Sequence, residues 1–226
     1  LNERAVVYES FAGNGALCNP EAIFRSLLET PDFRDLTHIW VLTDLVRRSA
    51  PIVSEFADNE RVRFVTYGSA GYYQALATSK WLVNNSTFPR RFSKRPGQIY
   101  LNTWHGTPLK NMGYDMPNGA RESRNVLRNF LMADYLLSAN PQMTETMYLK
   151  AYRLQGIYRS QIVEAVYPRI DHQFSDQAEL QRTRKSLERR GIVLRDQKVA
   201  VYAPTWRGAS FHSARAQVGM LRRFLT

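Results

Sequence analysis

The stretch Thr103-Trp104-His105-Gly106-Thr107-Pro108-Leu109-Lys110 gathers an imidazole, a hydroxyl, a glycine and an ammonium in one short string. Imidazole changes charge near neutrality, so His105 can accept a proton from a hydroxyl nucleophile. Gly106 lets a ligand approach the backbone, Thr107 offers a hydroxyl, and Lys110 can neutralise a phosphate. The turn that follows can aim free N–H groups at an anion. The same string also reads as a loop whose histidine bonds to backbone. Local chemistry alone leaves both readings open.

Three further segments carry polar groups where a ligand could use them. Tyr202-Ala203-Pro204-Thr205-Trp206-Arg207 follows an apolar run and ends in a guanidinium, a planar donor suited to phosphate oxygens. Tyr167-Pro168-Arg169-Ile170-Asp171 lies where the texture of the chain changes. Arg169 and Asp171 can line a cleft between domains, or form the ion pair of a Pro-marked linker. Gly13-Asn14-Gly15 is a flexible turn that could bring backbone close to a substrate. It does not continue into a dinucleotide fingerprint, because position 18 is Cys. His38, His172 and His212 have no partner at metal-ligand spacing, so neither a protein-held metal nor a cofactor is expected.

Elements that could position these groups follow from hydrophobic period. Strands are predicted at 5–8, 38–43, 61–66, 81–83, 98–102, 135–137 and 161–166. Helices are predicted at 20–28, 70–79, 119–133 and 141–152. Strands alternating with helices imply an α/β fold with a mainly parallel sheet and helices on both faces. Ligands of such sheets sit outside the carboxyl ends of strands, and His105 falls just past one. A first domain over 1–168 is expected, followed over 169–226 by a linker and the incomplete start of a second. That second part holds a charged helix at 176–190, a strand at 198–203 and a helical piece at 216–224.

Composition narrows the classes. Of 226 residues, 44% are hydrophobic, which excludes disordered and collagen-like chains. Thirty-one Lys and Arg against twenty Asp and Glu give a net charge of +11. Such a balance points to an anionic substrate, an anionic membrane surface or nucleic acid. Arg121, Arg124 and Arg128 share one face of the predicted 119–133 helix, with Val126, Leu127, Phe130 and Leu131 on another. That pattern fits a membrane-surface helix, and fits better a core-packed helix with a solvated arginine face. Arg90, Arg91, Lys94 and Arg95 add a basic cluster. The basic residues are scattered and no ribonucleoprotein aromatic motif is present, which argues against an RNA-binding module. A single cysteine, Cys18, excludes an internal disulfide. The start at Leu1, without Met, suggests a piece of a longer protein.

Taken in order, these segments resemble the CDP-glycerol glycerophosphotransferase family, the teichoic acid primases and polymerases of bacteria. The resemblance runs from Tyr8-Glu9-Ser10 and Asn19-Pro20, through Tyr72-Tyr73, Leu76-Ala77-Thr78-Ser79-Lys80 and Asn84-Asn85, to the Trp104–Lys110 string. It continues through Tyr167-Pro168-Arg169 with Asp171 to Tyr202–Arg207. It departs at Val166 and Ile170, where the family has Gly and Asn.

The resemblance implies a GT-B architecture, of which this chain holds the acceptor-side domain and the opening of the donor domain. It implies transfer of a polyol phosphate from CDP-glycerol or CDP-ribitol to a phosphate-rich polymer or lipid-linked acceptor, with release of CMP. His105 is implied as the catalytic base. Trp104, Gly106, Thr107 and Lys110, with Gly13 and Asn14, are expected on the substrate side. Arg169, Asp171, Thr205 and Arg207 are expected near the donor pyrophosphate. Peripheral attachment to the cytoplasmic face of the membrane is also implied. A nucleotide-sugar glycosyltransferase of the same architecture is the alternative enzyme.

Overall fold

Seven short apolar runs become seven strands of one sheet: β1 Asn2–Glu9, β2 Thr37–Leu42, β3 Val62–Thr66, β4 Ser79–Asn84, β5 Ile99–Asn102, β6 Tyr135–Ser138 and β7 Gln161–Glu164. The computed structural model describes residues 1–46, 50–174, 177–189 and 191–193. Every pairing is parallel, in the order β3-β2-β1-β4-β5-β6-β7. The chain therefore winds outward from β1 in one direction, then restarts at β4 in the other. The two halves meet between β1 and β4, and the crevice at their carboxyl ends is where doubly wound sheets bind ligands.

Side chains alternate across the sheet with period two. Val6, Tyr8, Trp40 and Leu42 face one side, where Phe24 of α1 (Cys18–Glu29) and Ile52 of α2 (Ala50–Glu55) cover them. Val7, Leu82, Tyr100 and Leu136 face the other. There they meet Tyr72 and Leu76 of α3 (Ala70–Thr78) and Phe130 of α5 (Arg124–Met132). The α/β architecture expected from the sequence, with helices on both faces, is the one observed.

Two predicted helices differ in form. The run expected as one helix over 119–133 is broken at Ser123 into α4 (Gly119–Glu122) and α5. Gly119 is jammed against the preceding turn, where an added Cβ would lie 2.1 Å from the Gly113 carbonyl oxygen. The arginine face is not wholly solvated either. Arg128 donates to the carbonyls of Pro89 and Phe92 and to Asn125 Oδ1, tying the β4–β5 loop down. The basic cluster on that loop is partly engaged as well: Lys94 pairs with Asp134 at 2.5 Å and Arg95 donates to the Ala77 carbonyl.

The helix expected over 141–152 is a π-helix, Met143–Ala151. The Tyr152 N–H closes it, bonding the Met147 carbonyl five residues back at 2.9 Å. π-Helical segments are rare and recur at functional sites.

Leu1–Phe174 form one compact unit and Ser175–Thr226 another. The described part of the second unit contains the charged helix α6, Gln177–Arg189. Gly191 follows it at φ 78, the left-handed conformation that glycine adopts without strain at a helix end. The predicted strand at 198–203, with Thr205 and Arg207 after it, and the predicted helix at 216–224 lie outside the described residues.

Candidate active site

His105 lies in the loop after β5, beside the switch point between β1 and β4. Its Nδ1 is 2.7 Å from the carbonyl oxygen of Asn85, the first residue after β4. A carbonyl only accepts, so Nδ1 carries the hydrogen and Nε2 holds the free lone pair of a neutral ring. Desolvation lowers the imidazole pKa below its ordinary value, and the Arg169 charge lowers it further, while the Asn85 bond works against both. At neutral pH the ring is therefore a base with its accepting nitrogen already chosen.

Three elements hold that ring. Trp104 stacks on it, with centroids 4.4 Å apart, and is itself 5% exposed. Phe11, from the turn after β1, meets it edge-on at 5.4 Å. Asn85 joins these parts: its Oδ1 accepts the Phe11 N–H at 2.9 Å while its carbonyl takes the imidazole hydrogen. On the far side, Asn102 Oδ1 accepts the Trp104 N–H at 3.0 Å.

The N-terminus of α1 supplies the remaining ties. Asn19 is fully buried; its Nδ2 donates to the Trp104 carbonyl and its Oδ1 accepts the Arg169 N–H. Arg169 Nη1 donates to the His105 carbonyl at 2.9 Å and touches Cys18 Sγ at 3.1 Å. Its guanidinium also lies over the Tyr167 ring. The structure thus brings Arg169, 64 residues away in sequence, under the His105 loop. Asp171 is exposed on the same 3₁₀ turn, Pro168–Phe174, and shares none of these bonds among the described residues.

Backbone strain concentrates here. Phe11, Ala12, Cys18 and Trp104 all have positive φ, between 48° and 65°. Such conformations cost roughly 1–3 kcal/mol each in a non-glycine residue and persist where the surroundings over-determine them. All four lie in the segments that converge on His105.

The other expected residues divide by role. Thr107 is half-buried, and its Oγ1 accepts from Asn140 Nδ2 at 2.8 Å. Gly106 is half-buried, with open space where a Cβ would be, and Lys110 is exposed. Trp104 sits behind the imidazole, against Phe130 and Tyr152. Gly13 is buried, and its carbonyl accepts both the N–H and the hydroxyl of Thr43. Asn14 is exposed and closes its own turn through Nδ2 onto the Phe11 carbonyl.

Reasoning from sequence did not assign roles to Asn19, Asn85 or Phe11. Asn19 and Asn85 lay within the strings that carried the family resemblance, which was the available signal. Phe11 had none. Below the site, Glu9 is fully buried, accepting from Tyr72 Oη at 2.7 Å and Asn84 Nδ2 at 3.2 Å. Burial pushes its carboxyl up to about 7. No group of three or more His, Cys, Asp or Glu among the described residues could hold a metal ion.

Comparison with known proteins places the chain. Residues 1–222 match the family model for CDP-Glycerol:Poly(glycerophosphate) glycerophosphotransferase. A teichoic acid poly(glycerol phosphate) polymerase of Bacillus spizizenii is 34% identical over 221 residues, covering 94% of this chain and 52% of the relative. A teichoic acid glycerol-phosphate transferase of Staphylococcus aureus is 32% identical, covering 91% of this chain and 51% of the relative. Among solved structures, the wall teichoic acid polymerase TagF superposes with a TM-score of 0.72 at 28% identity, covering 90% of this chain and 48% of that one. A histidine variant of TagF soaked with CDPG gives 0.73 at 26% identity, covering 97% and 53%. The chain spans about half the length of these relatives.

Proposed function

The chain belongs to the CDP-glycerol:poly(glycerophosphate) glycerophosphotransferase family, and from that premise we propose that it carries the acceptor-side half of a polyol-phosphate transferase. The donor is CDP-glycerol or a related CDP-polyol. The acceptor is the terminal hydroxyl of a teichoic-acid-type, phosphate-rich chain. The observation that carries this reading is the His105 imidazole: its hydrogen is fixed on Nδ1 by the Asn85 carbonyl, and its ring stands at the sheet's switch point.

In the proposed reaction, the acceptor oxygen attacks the β-phosphorus of the donor. Its proton passes to His105 Nε2. The bond between that phosphorus and the bridging oxygen breaks, and CMP leaves with the electron pair. A positioned base contributes about 10²–10⁴-fold to such a step. Gly106 leaves room for the acceptor, Thr107 and Lys110 border it, and Trp104 and the Gly13-Asn14 turn shape its walls. Arg169 contributes positive charge toward the donor phosphates. Asp171, Thr205 and Arg207 complete the donor side, with 1–168 as the acceptor-side domain and 169–226 as the opening of the donor domain.

No helix among the described residues is long and apolar enough to cross a membrane. Peripheral attachment to the cytoplasmic face is part of the same proposal, supported by the net charge of +11.

The test is CMP release by the complete enzyme with His105 replaced by Ala or Gln. A fall of about 10²–10⁴-fold in turnover, with folding retained, is expected. Turnover within twofold of wild type would refute the base assignment. Donor labelled at the β-phosphorus tests the reaction class: label in the polymer supports phosphoryl transfer, and label retained on the nucleotide shows glycosyl transfer instead.

A further inference from the structure

The loop after His105 and the π-helix border a small pocket whose lining begins two residues past His105 and does not include the imidazole itself. Its polar lining comes from Thr107, Lys110, Asn111 and Asp115 on the loop, and from Gln142 and Thr146 on and just before the π-helix. Met147 and Ala151 supply apolar floor. Two points of the wall are pinned, while Lys110, Asn111, Asp115, Gln142 and Thr146 are exposed. Thr107 is held by Asn140, and Gly113 packs so closely on the π-helix that an added Cβ would lie 2.3 Å from the Ala151 carbonyl oxygen.

Size and chemistry limit the occupant. The cavity measures about 70 Å³. At roughly 10–15 Å³ per water-sized sphere, it holds about five or six non-hydrogen atoms. That suits a three-carbon polyol and falls well short of a nucleoside or a hexose. Asn111 and Gln142 can donate and accept, and Asp115 can accept, so the lining matches vicinal hydroxyls. A bare anion is a poor fit, because the Asp115 carboxylate shares the cavity. Lys110, exposed on the wall, is the group that would meet a phosphate attached to the polyol. Thr107 is two residues from His105, so the pocket wall begins within about 7 Å of the base along the chain.

We propose that this pocket is the acceptor subsite, holding a three-carbon polyol unit at the end of the acceptor chain with its phosphodiester against Lys110. The proposal rests on the reading of His105 as the base that deprotonates that acceptor. Gln142 and Asn111 act as specificity-determining residues: they bind the acceptor and take no part in the proton transfer. Both are exposed, so truncating them leaves the fold intact.

Two measurements on the intact protein test it. Amide resonances are followed by NMR during separate titrations with glycerol 3-phosphate, ribitol 5-phosphate, glycerol and inorganic phosphate. Shifts at residues 107–111 and 142–146, largest with glycerol 3-phosphate, support the subsite. Equal shifts with inorganic phosphate or with ribitol 5-phosphate overturn it, as do shifts confined elsewhere. In steady-state assays, Asn111→Ala and Gln142→Ala should each raise the acceptor KM about tenfold, leaving kcat and the donor KM within twofold. An unchanged acceptor KM in both variants rejects the pocket while His105→Gln still abolishes turnover. Normal turnover of His105→Gln rejects the base instead, whatever the titrations show.

Discussion

Glu9→Gln should make this protein more stable at alkaline pH, and the size of the gain follows from where Glu9 sits. Its carboxyl ends β1 with no solvent exposure, and burial raises its pKa from an ordinary 4.5 to about 7. The hydrogen bonds from Tyr72 and Asn84 offset only part of that cost. Between pH 4.5 and 7 the folded state binds more protons than the unfolded one, so stability falls as pH rises through that window. At about 1.4 kcal/mol per pH unit, the full loss above pH 7 is about 3 kcal/mol. Gln keeps the shape without the charge. Its Oε1 can accept from Asn84 Nδ2, and its Nε2 can donate to Tyr72 Oη, since a phenolic oxygen can accept as well as donate. Urea unfolding followed by tryptophan fluorescence at pH 4 and pH 8.5 measures the difference. The variant should match wild type at pH 4 and exceed it by about 3 kcal/mol at pH 8.5. A difference that is the same at both pH values, or a variant weaker at pH 8.5, would refute the assignment of a buried, costly carboxylate.

The acid limb of the kcat/KM profile should fall below the ordinary imidazole value of about 6.5, because desolvation and Arg169 both lower the His105 pKa; a midpoint above that value would contradict the buried, neutral ring. Asn19→Ala removes ties to both Trp104 and Arg169 and should lower kcat at least tenfold with folding retained, as judged by circular dichroism, whereas an unchanged kcat would show that the loop holds itself. Arg128→Ala should destabilise the protein by about 1–3 kcal/mol in denaturant unfolding, because the Pro89 and Phe92 carbonyls lose a charged donor. Gly113→Ala should fold poorly or not at all, since its Cβ has no space beside the Ala151 carbonyl; soluble protein of wild-type stability would disprove that packing.

Much of the architecture is legible in short-range pattern. Alternation such as Val62, Phe64 and Thr66 identifies a strand, and the turn residues between apolar runs mark its ends. Local pattern also puts His105 just beyond a strand, which in a parallel sheet is the ligand-binding end. Pattern fails where side chains report on distant partners. Arg121, Arg124 and Arg128 look alike on a helical wheel. Only Arg128 has the carbonyls of Pro89 and Phe92 within reach, and that depends on how the β4–β5 loop folds back. Similarly, nothing local marks Met143–Ala151 as π rather than α, and nothing in the sequence signals that Gly113 packs against its Ala151 carbonyl.

The amino-acid order by itself determined the strands, the α/β class and the chemical group offered as base, because each is a matter of nearest neighbours and hydrophobic period. Tertiary structure alone decided that β4 lies beside β1 and β5. That adjacency carries the Asn85 carbonyl and the Phe11 ring to an imidazole 20 and 94 positions away along the chain. The reason is physical: a backbone carbonyl has no identity in a sequence. Which proton a histidine keeps is fixed only when a sheet brings one such carbonyl within hydrogen-bonding distance.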